Sequence, residues 1–238
     1  MNDKIIGILG GMGPEATADG YLKVIRATNA RKDQEHFRVI IDSNPKIPDR
    51  TEAISRGGAS PVPAMVETAK NLERAGVDIA YVPCMTAHYF IDYVQKEVSF
   101  PIMNAFVELR RYISANFPEV KKIGVLATSG TLETGLFEKY MDNIEVIYPN
   151  TVTQNEKVMR AIYGENGIKS GITYGEPLEL LQESAEELIE NGAELIISGC
   201  TEVGLVLQPY HITKPFIDPM EVIADSIVRT ASIPLSSK

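Results

Sequence analysis

Short apolar runs alternate with longer segments in which apolar residues recur about every 3.6 positions along most of the chain. The short runs predict strands at residues 4–10, 37–42, 79–82, 101–104, 123–127, 144–148, 195–198 and 215–217. The longer segments predict helices, among them residues 16–28, 63–75, 132–141, 177–191 and 219–231. Near-continuous apolar strands that alternate with helices are typical of a parallel sheet covered on both faces, so we expect an α/β fold.

The second half of the chain repeats the pattern of the first. Residues 76–84 (GVDIAYVPC) align with 192–200 (GAELIISGC), and residues 4–9 (KIIGIL) align with 121–126 (KKIGVL). Weaker likenesses link residues 39–44 to 145–150 and 100–104 to 214–218. The repeat predicts two pseudo-symmetric α/β lobes whose strand ends face each other across a cleft, where such sheets bind ligands.

The two cysteines occupy matching places in this repeat. Cys84 and Cys200 each end a predicted strand and are followed by polar residues. A free cysteine often only packs in a core, but a thiol between a strand end and a helix start gains electrostatic support for its thiolate. Two facing thiols could exchange a disulfide, although redox pairs usually have Cys-x-x-Cys spacing. They could instead act as base and acid on opposite faces of one carbon, which is what inversion of a stereocentre requires.

A glycine-rich turn, residues 10–16 (GGMGPEA), follows the first predicted strand and precedes a helix. It contains the G-x-G-x-x-A pattern of dinucleotide sites, and Asp42 ends the next strand, where a ribose-binding carboxylate could lie. A nicotinamide-dependent dehydrogenase is therefore an alternative. Glu15 would lie close to a bound pyrophosphate, however, and the repeat-related turn at residues 127–131 lacks the pattern, which favours a tight turn lining the cleft.

Further polar residues follow the strand ends. Arg50 lies in a proline-stiffened loop, residues 43–51 (SNPKIPDRT). Its planar guanidinium suits a carboxylate. The alternative for Arg50, and likewise for Lys169, is an ordinary charged residue on the surface. Four threonines could bind a small carboxylate or cap helices: Thr86, Thr128, Thr131 and Thr201. His88 and Glu202 are candidates to take up or supply thiol protons, with helix capping as the simpler role. Of the other histidines, His36 precedes a predicted strand and is interpreted as structural, whereas no candidate partners surround His211.

Composition narrows the function further. The 238 residues carry 23 basic and 32 acidic side chains, a net charge of −9, which argues against a partner that is nucleic acid or an anionic membrane. Two cysteines and three histidines make neither a disulfide framework nor a metal centre, and no lysine stands out as a Schiff-base residue. Neither a secretory signal nor an apolar stretch of about 18 residues is present, so we expect a cytoplasmic protein.

Several motifs together resemble one known family. They are residues 6–17 (IGILGGMGPEAT), 33–36 (DQEH), 43–51, 83–88 (PCMTAH), 126–131 (LATSGT) and 199–202 (GCTE). Their combination is similar to the cofactor-independent, two-cysteine aspartate/glutamate racemases, and within that family to aspartate racemase.

The resemblance implies a homodimer that needs no cofactor, with the active site between two lobes. The first lobe would comprise residues 1–105 plus 211–238, and the second residues 106–210. Cys84 and Cys200 would be the catalytic thiols, supported by Glu202 and His88. The implied substrate contacts are Arg50, Lys169, Asn44, Thr86, Thr201, Met12, Met85, Thr128 and Thr131. Met85 departs from the family, which usually has Asn after the first cysteine, so one polar contact is in doubt.

The function expected from sequence is therefore interconversion of L- and D-aspartate. A glutamate racemase, a broad-specificity Asp/Glu racemase and a maleate isomerase of the same superfamily are the nearest alternatives. A dehydrogenase and a non-catalytic dicarboxylate-binding protein are more distant ones.

Overall fold

Two parallel β-sheets organise the chain in a computed structural model that describes residues 4–233. The first sheet has the order β2-β1-β3, from β1 (Ile6–Gly10), β2 (Val39–Ser43) and β3 (Ile79–Tyr81). The second has the order β5-β4-β6-β7, from β4 (Lys122–Leu126), β5 (Glu145–Ile147), β6 (Leu195–Ser198) and β7 (Phe216–Ile217). The parallel α/β class is confirmed.

The helices follow the strands in chain order. They are α1 (Pro14–Ala27), α2 (Arg50–Ser55), α3 (Val62–Arg74), α4 (Ile91–Gln95), α5 (Ala105–Asn116), α6 (Ser129–Glu133), α7 (Leu136–Tyr140), α8 (Thr151–Thr153), α9 (Arg160–Tyr163), α10 (Glu176–Glu190), α11 (Thr201–Val206) and α12 (Pro219–Ala231). A π-helical segment, Gln154–Met159, joins α8 to α9. Single 3-10 turns lie at Asp33–Glu35, Thr86–Phe90, Ile168–Ser170 and Pro209–His211.

The repeat is visible in the strand register. Gly7 of β1 pairs with Ala80 of β3, and Gly124 of β4 pairs with Ile196 of β6. A methyl group on Gly7 would come within 2.7 Å of Val77, and one on Gly124 within 2.8 Å of Ile196. Both sheets therefore need glycine at the same point of their central strand, where a neighbouring side chain crosses it.

Two predicted elements are shorter than expected. The strand at residues 101–104 is reduced to a single bridge between Ile102 and Ala80, on the side of β3 that corresponds to the β6–β7 pairing. The continuous helix at residues 132–141 is wrong: Gly135 has a φ of 62° and separates α6 from α7. A left-handed residue cannot continue a right-handed helix.

Two helices cross between the lobes. α5 follows the first sheet but packs against α7 of the second, whereas α12 follows β7 of the second sheet but packs against α1 and β3 of the first. The two crossing helices also pack on each other. Apolar residues of both sheets and both helices, among them Ile8, Phe106, Val125, Ile197 and Ile223, form one continuous core cluster.

This packing refines the predicted lobes. β7 pairs with β6, so the segment that joins the first lobe begins at α12 rather than at residue 211. We propose the division into lobes with that boundary. Residues 1–3 and 234–238 of the predicted first lobe lie outside the described residues. Between residues 4 and 233, no helix combines the length and the apolar character that a membrane crossing requires.

Candidate active site

The two cysteines lie just beyond the carboxyl ends of equivalent strands. Cys84 follows β3 and leads into the turn Thr86–Phe90, and Cys200 follows β6 and is the N-cap residue of α11. Both are free thiols, and each residue is only 6% exposed. Since β3 and β6 occupy matching places in the two sheets, each lobe contributes one buried thiol from the same structural position.

Cys200 is hydrogen-bonded to a carboxylate. Its Sγ donates to Oε2 of Glu202 at 2.9 Å, and the Thr201 hydroxyl donates to the same oxygen at 3.0 Å. The other carboxylate oxygen, Oε1, accepts a hydrogen bond from Nζ of Lys169, which lies in the turn Ile168–Ser170. Thiol, carboxylate and ammonium therefore form a continuous chain within the second lobe.

The charges of these three hydrogen-bonded groups determine which of them is protonated. Burial, and then the negative charge of Glu202, raise the pKa of the Cys200 thiol well above its usual value. Burial also opposes ionisation of Glu202, but the adjacent Lys169 outweighs it and lowers the pKa of that carboxyl group. In this state Glu202 is a carboxylate and Cys200 is a protonated thiol that can donate a proton.

A buried guanidinium lies beside the other thiol. Arg50, 8% exposed, begins α2 and donates from its terminal nitrogens to the carbonyls of Pro48 at 3.0 Å, Ile47 at 3.3 Å and Met12 at 3.5 Å. Burial works against its charge, but the negative charge of Cys84 outweighs it and raises the pKa of Arg50. Its buried Nε has no hydrogen-bond partner among the described residues, so a donor is available beside Cys84.

The two thiols share one ammonium. Burial disfavours the Lys169 cation, but the Glu202 carboxylate, together with the smaller effect of either cysteine when it is ionised, outweighs it and raises the pKa of the amine. Because Lys169 responds to both cysteines, it lies within electrostatic reach of a group placed between them.

Four threonine hydroxyls from both lobes form a buried cluster. Oγ1 of Thr86 lies 2.7 Å from that of Thr131, and Oγ1 of Thr128 lies 3.1 Å from Thr131. Thr51 of α2 donates to Thr128 at 3.3 Å, which links the loop carrying Arg50 to the second lobe. Hydroxyls that bond mainly to one another can turn towards an entering carboxylate, because a hydroxyl hydrogen rotates to suit its acceptor.

Tyr163 joins the lobes from the other side. Its hydroxyl donates to Oδ2 of Asp49 at 3.1 Å, and Nζ of Lys169 lies 5.3 Å from the centre of its ring. Neither Tyr163 nor Thr51 was predicted from sequence. Thr51 had a signal, since it directly follows Arg50 in the matched loop, whereas Tyr163 reaches the site only through the packing of α9.

Comparison with known proteins assigns this arrangement to a family. The sequence profile of the Asp/Glu/hydantoin racemases matches residues 9–227, which include every residue of the site described above. The chain belongs to the Asp/Glu/hydantoin racemase family. It is therefore a racemase, which is an isomerase, as the motifs predicted, and the dehydrogenase alternative is wrong.

Individual relatives extend over nearly the whole racemase. The broad specificity amino-acid racemase RacX of Bacillus subtilis is 29% identical over 233 residues, covering 95% of this chain and 97% of its own. The Picrophilus torridus aspartate racemase has a TM-score of 0.81 at 26% identity and covers 98% of this chain and 96% of its own. The glutamate racemase from Francisella tularensis subsp. tularensis SCHU S4, in complex with D-glutamate, has a TM-score of 0.66 at 18% identity. It covers 100% of this chain and 86% of its own, and at that identity shows the shared fold alone.

His88 contacts backbone on both sides in this racemase. Its Nδ1 lies 2.9 Å from the carbonyl oxygen of Cys84, and its Nε2 accepts from the amide of Ala105 at 3.0 Å. Burial lowers the pKa of His88 to about 4, so the ring is neutral, with the proton on Nδ1. It holds the backbone around Cys84 in place and makes no hydrogen bond to either thiol.

The remaining predicted residues lie around the site in different ways. Asn44 donates to Thr68 at 3.0 Å, and its backbone fills the space beside Gly11, where a methyl group would come within 2.3 Å of it. Met12 is buried and reaches Arg50 through its carbonyl, whereas Met85 is buried in the core cluster shared by the lobes. Within residues 4–233 no three His, Cys, Asp or Glu side chains are grouped as a metal site would require.

Proposed function

We propose that this racemase interconverts L- and D-aspartate, with Cys84 and Cys200 exchanging protons with the α-carbon from opposite faces. The observation that carries the proposal is the pair of buried thiols at equivalent strand ends, one in each lobe, with unlike neighbours. Cys84 lies beside the Arg50 guanidinium, and Cys200 donates a hydrogen bond to the Glu202 carboxylate.

The unlike neighbours support a direction for the first step. Since Cys200 is held as a thiol that can donate its proton, we assign the base of the first step to Cys84, the cysteine that lies beside the Arg50 guanidinium. Its Sγ gains the proton as the Cα–H bond breaks, and the carbanion then takes the Sγ proton of Cys200 on its other face. The product leaves with the opposite configuration, Cys84 is now the thiol and Cys200 the thiolate, and the reverse reaction starts from that state. No electron is gained or lost overall.

A carbanion beside a carboxylate needs stabilisation by aligned donors. The threonine cluster, with Thr86 and Thr131 at its centre, supplies hydroxyls from both lobes for the α-carboxylate. The unpartnered Nε of Arg50 and the ammonium of Lys169 are the cations for the side-chain carboxylate. The likeness to the Picrophilus torridus aspartate racemase over 98% of this chain supports the same substrate.

A broader substrate range is the second candidate. Lys169 is already paired with Glu202, so a neutral side chain would leave no unbalanced charge beside this pair. The likeness to a broad specificity amino-acid racemase over 95% of this chain favours the same interpretation.

Deuterium exchange tests both candidate functions, the aspartate racemase and the racemase of broader substrate range. L-aspartate, L-glutamate, L-alanine and maleate are incubated separately with the enzyme in deuterated water, and products are resolved by chiral chromatography with mass detection. Formation of D-aspartate carrying α-deuterium, abolished in both Cys84→Ser and Cys200→Ser, is the expected result. Comparable exchange with alanine would show the broader range. Maleate consumption without exchange into aspartate, or near-normal turnover in either serine variant, would overturn the two-thiol racemase.

We also propose that the enzyme is a cytoplasmic homodimer. A reducing compartment keeps both thiols available, as the mechanism requires. Light scattering with size exclusion is expected to give twice the chain mass of 26.2 kDa.

A further inference from the structure

The fourth residue after each cysteine contacts the start of a crossing helix. In the first lobe this residue is His88, whose Nε2 accepts from the backbone amide of Ala105, the first residue of α5. In the second lobe it is Gly204, which packs against Asp218, the N-cap residue of α12. The two contacts are pseudo-equivalent in position but different in chemistry, and the reaction steps above use neither.

Asp218 is the centre of the second contact. Its Oδ1 accepts from the amide of Met220 at 2.8 Å, which caps α12, and its Oδ2 forms an ion pair with Nζ of Lys23 at 2.9 Å. Lys23 comes from α1 and also pairs with Asp19, one turn earlier. Asp218 is 7% exposed and Lys23 is 8% exposed, so α1, α11 and α12 meet at a buried ion pair.

Gly204 leaves no space beside this pair. A methyl group on Gly204 would lie 2.6 Å from Oδ2 of Asp218 and 3.2 Å from Oγ of Ser198. The carboxylate therefore rests directly on the backbone of α11. Its position is determined on one side by Lys23 and on another by the cap of α12.

Only a short helix separates the contact at Gly204 from the Cys200 thiol. α11 starts directly after its N-cap residue Cys200, carries Glu202 in its first turn and contains only the six residues Thr201–Val206. The Ser198 hydroxyl, which faces the same space beside Gly204, donates to the carbonyl oxygen of Cys200 at 2.9 Å. Any displacement of α11 at Gly204 would thus move the thiol together with the carboxylate to which it donates.

We propose that Asp218 and Lys23 are positioning residues for Cys200, holding α11 through Gly204 so that the thiol faces the reacting carbon. The proposal rests on the catalytic role of Cys200 proposed above. A buried ion pair is weak evidence for stability, because apolar residues of similar volume often serve equally well. If the ion pair instead fixes the distance between the three helices, that role explains both why Asp218 and Lys23 are charged and why position 204 is glycine.

The test is Gly204→Ala, which forces the carboxylate and α11 apart. A displacement of the order of 1 Å at a reacting group can cost on the order of 100-fold in rate. We expect kcat to fall by on the order of 10-fold to 100-fold in both directions, with the KM for aspartate little changed. The rate of alkylation of Cys200 by iodoacetamide, followed by peptide mass spectrometry, should change, whereas that of Cys84 should not.

Rescue and control variants separate positioning from stability. Gly204→Ala combined with Asp218→Ala gives the methyl group the space of the carboxylate while Lys23 retains Asp19, so the two substitutions should be non-additive, and kcat should rise above that of Gly204→Ala to the level of Asp218→Ala alone. Leu72→Ala, in the buried face of α3 in the other lobe, should lower the Tm without changing kcat at temperatures well below it. Should Gly204→Ala not fold, Asp218→Asn keeps the cap of α12 but removes the ion pair, and is expected to lower kcat.

Two results would overturn the proposal. One is a folded Gly204→Ala or Asp218→Asn enzyme with wild-type kcat and wild-type alkylation of Cys200. The other is a loss of kcat in Gly204→Ala that the Asp218→Ala substitution does not relieve. Full activity in Cys200→Ser would instead refute the proposed function, so the two failures are distinguishable.

Discussion

The Cys200 thiol donates a 2.9 Å hydrogen bond to the Glu202 carboxylate, although a carboxylate neighbour opposes formation of a thiolate. Lys169, bonded to the other carboxylate oxygen, keeps Glu202 charged. Cys200 of the second lobe is therefore held as a protonated thiol, whereas in the first lobe the Arg50 guanidinium lies beside Cys84.

Glu202→Gln should make Cys200 more reactive and the enzyme slower. The amide still accepts the hydrogen bond, but the charge that raises the pKa of Cys200 is gone and Lys169 remains. If that pKa falls by about one unit, the thiolate population at neutral pH rises about 10-fold. Iodoacetamide labelling of Cys200 should rise accordingly while kcat falls. Glu15→Gln, which removes an exposed carboxylate from the start of α1, is the matched control, and equal labelling in both variants would contradict the prediction.

Arg50→Lys should weaken aspartate binding. The lysine keeps a positive charge but cannot supply the free Nε donor or the three carbonyl contacts of the guanidinium. Loss of a charge-assisted hydrogen bond costs about 1.5–3 kcal/mol, so KM should rise by on the order of 10-fold to 100-fold. Steady-state kinetics in both directions measure it. Arg56→Lys, at an exposed arginine paired with Glu52, should leave KM unchanged.

Thr86→Val and Thr86→Ser separate the hydroxyl from the packing. Valine keeps the volume of threonine but removes the 2.7 Å contact with Thr131, whereas serine keeps the hydroxyl. One neutral hydrogen bond is worth about 1 kcal/mol, so the valine variant should raise KM about 5-fold. The serine variant should stay near wild type. A larger defect in serine than in valine would show that packing, not hydrogen bonding, determines the role of this residue.

His88→Gln should reduce the acid sensitivity of folding. The pKa of His88 is about 4 in the folded protein, against an unfolded value near 6.5, so the unfolded chain binds the extra proton between these pH values. Stability is therefore complete above about pH 6.5 and falls as the pH drops towards 4. At about 1.4 kcal/mol per pKa unit, this histidine accounts for on the order of 3 kcal/mol. Urea denaturation at pH 7 and pH 4.5 should show a smaller difference for the variant, whose amide oxygen can still accept from Ala105.

Much of the fold was predictable because its strands and helices follow from the pattern of apolar residues within short stretches of sequence. The sheet strands and the long helices α1, α3, α10 and α12 lie where hydrophobic periodicity placed them, and the repeat predicted matching positions for the two cysteines. The interrupted helix was not, because Gly135 could equally have been a tolerated helical glycine. Short elements such as α2, six residues long, leave too few positions for a period to be recognised.

The site was predictable only where its residues adjoin a strand end or a stiff loop. Cys200, Glu202 and Thr201 are consecutive, so their hydrogen bonds depend on local geometry. Tyr163 and Asp49 come together through the packing of different lobes, which no local pattern reports. Met85 shows the opposite limit, since the resemblance to the family implied a substrate contact at this position, already in doubt because the chain has Met instead of Asn there, whereas the Met85 side chain lies in the shared core.

The exchange of α5 and α12 between the lobes makes the two halves of the chain interdependent. Each sheet is covered by a helix that the other half of the repeat supplies, so neither half contains all of its own interior. A folding intermediate with one finished lobe would expose the apolar surface left by the missing helix. The chain should therefore bring both thiols into place in one cooperative folding event, so that each molecule in a cell has either the complete active site or no active site at all.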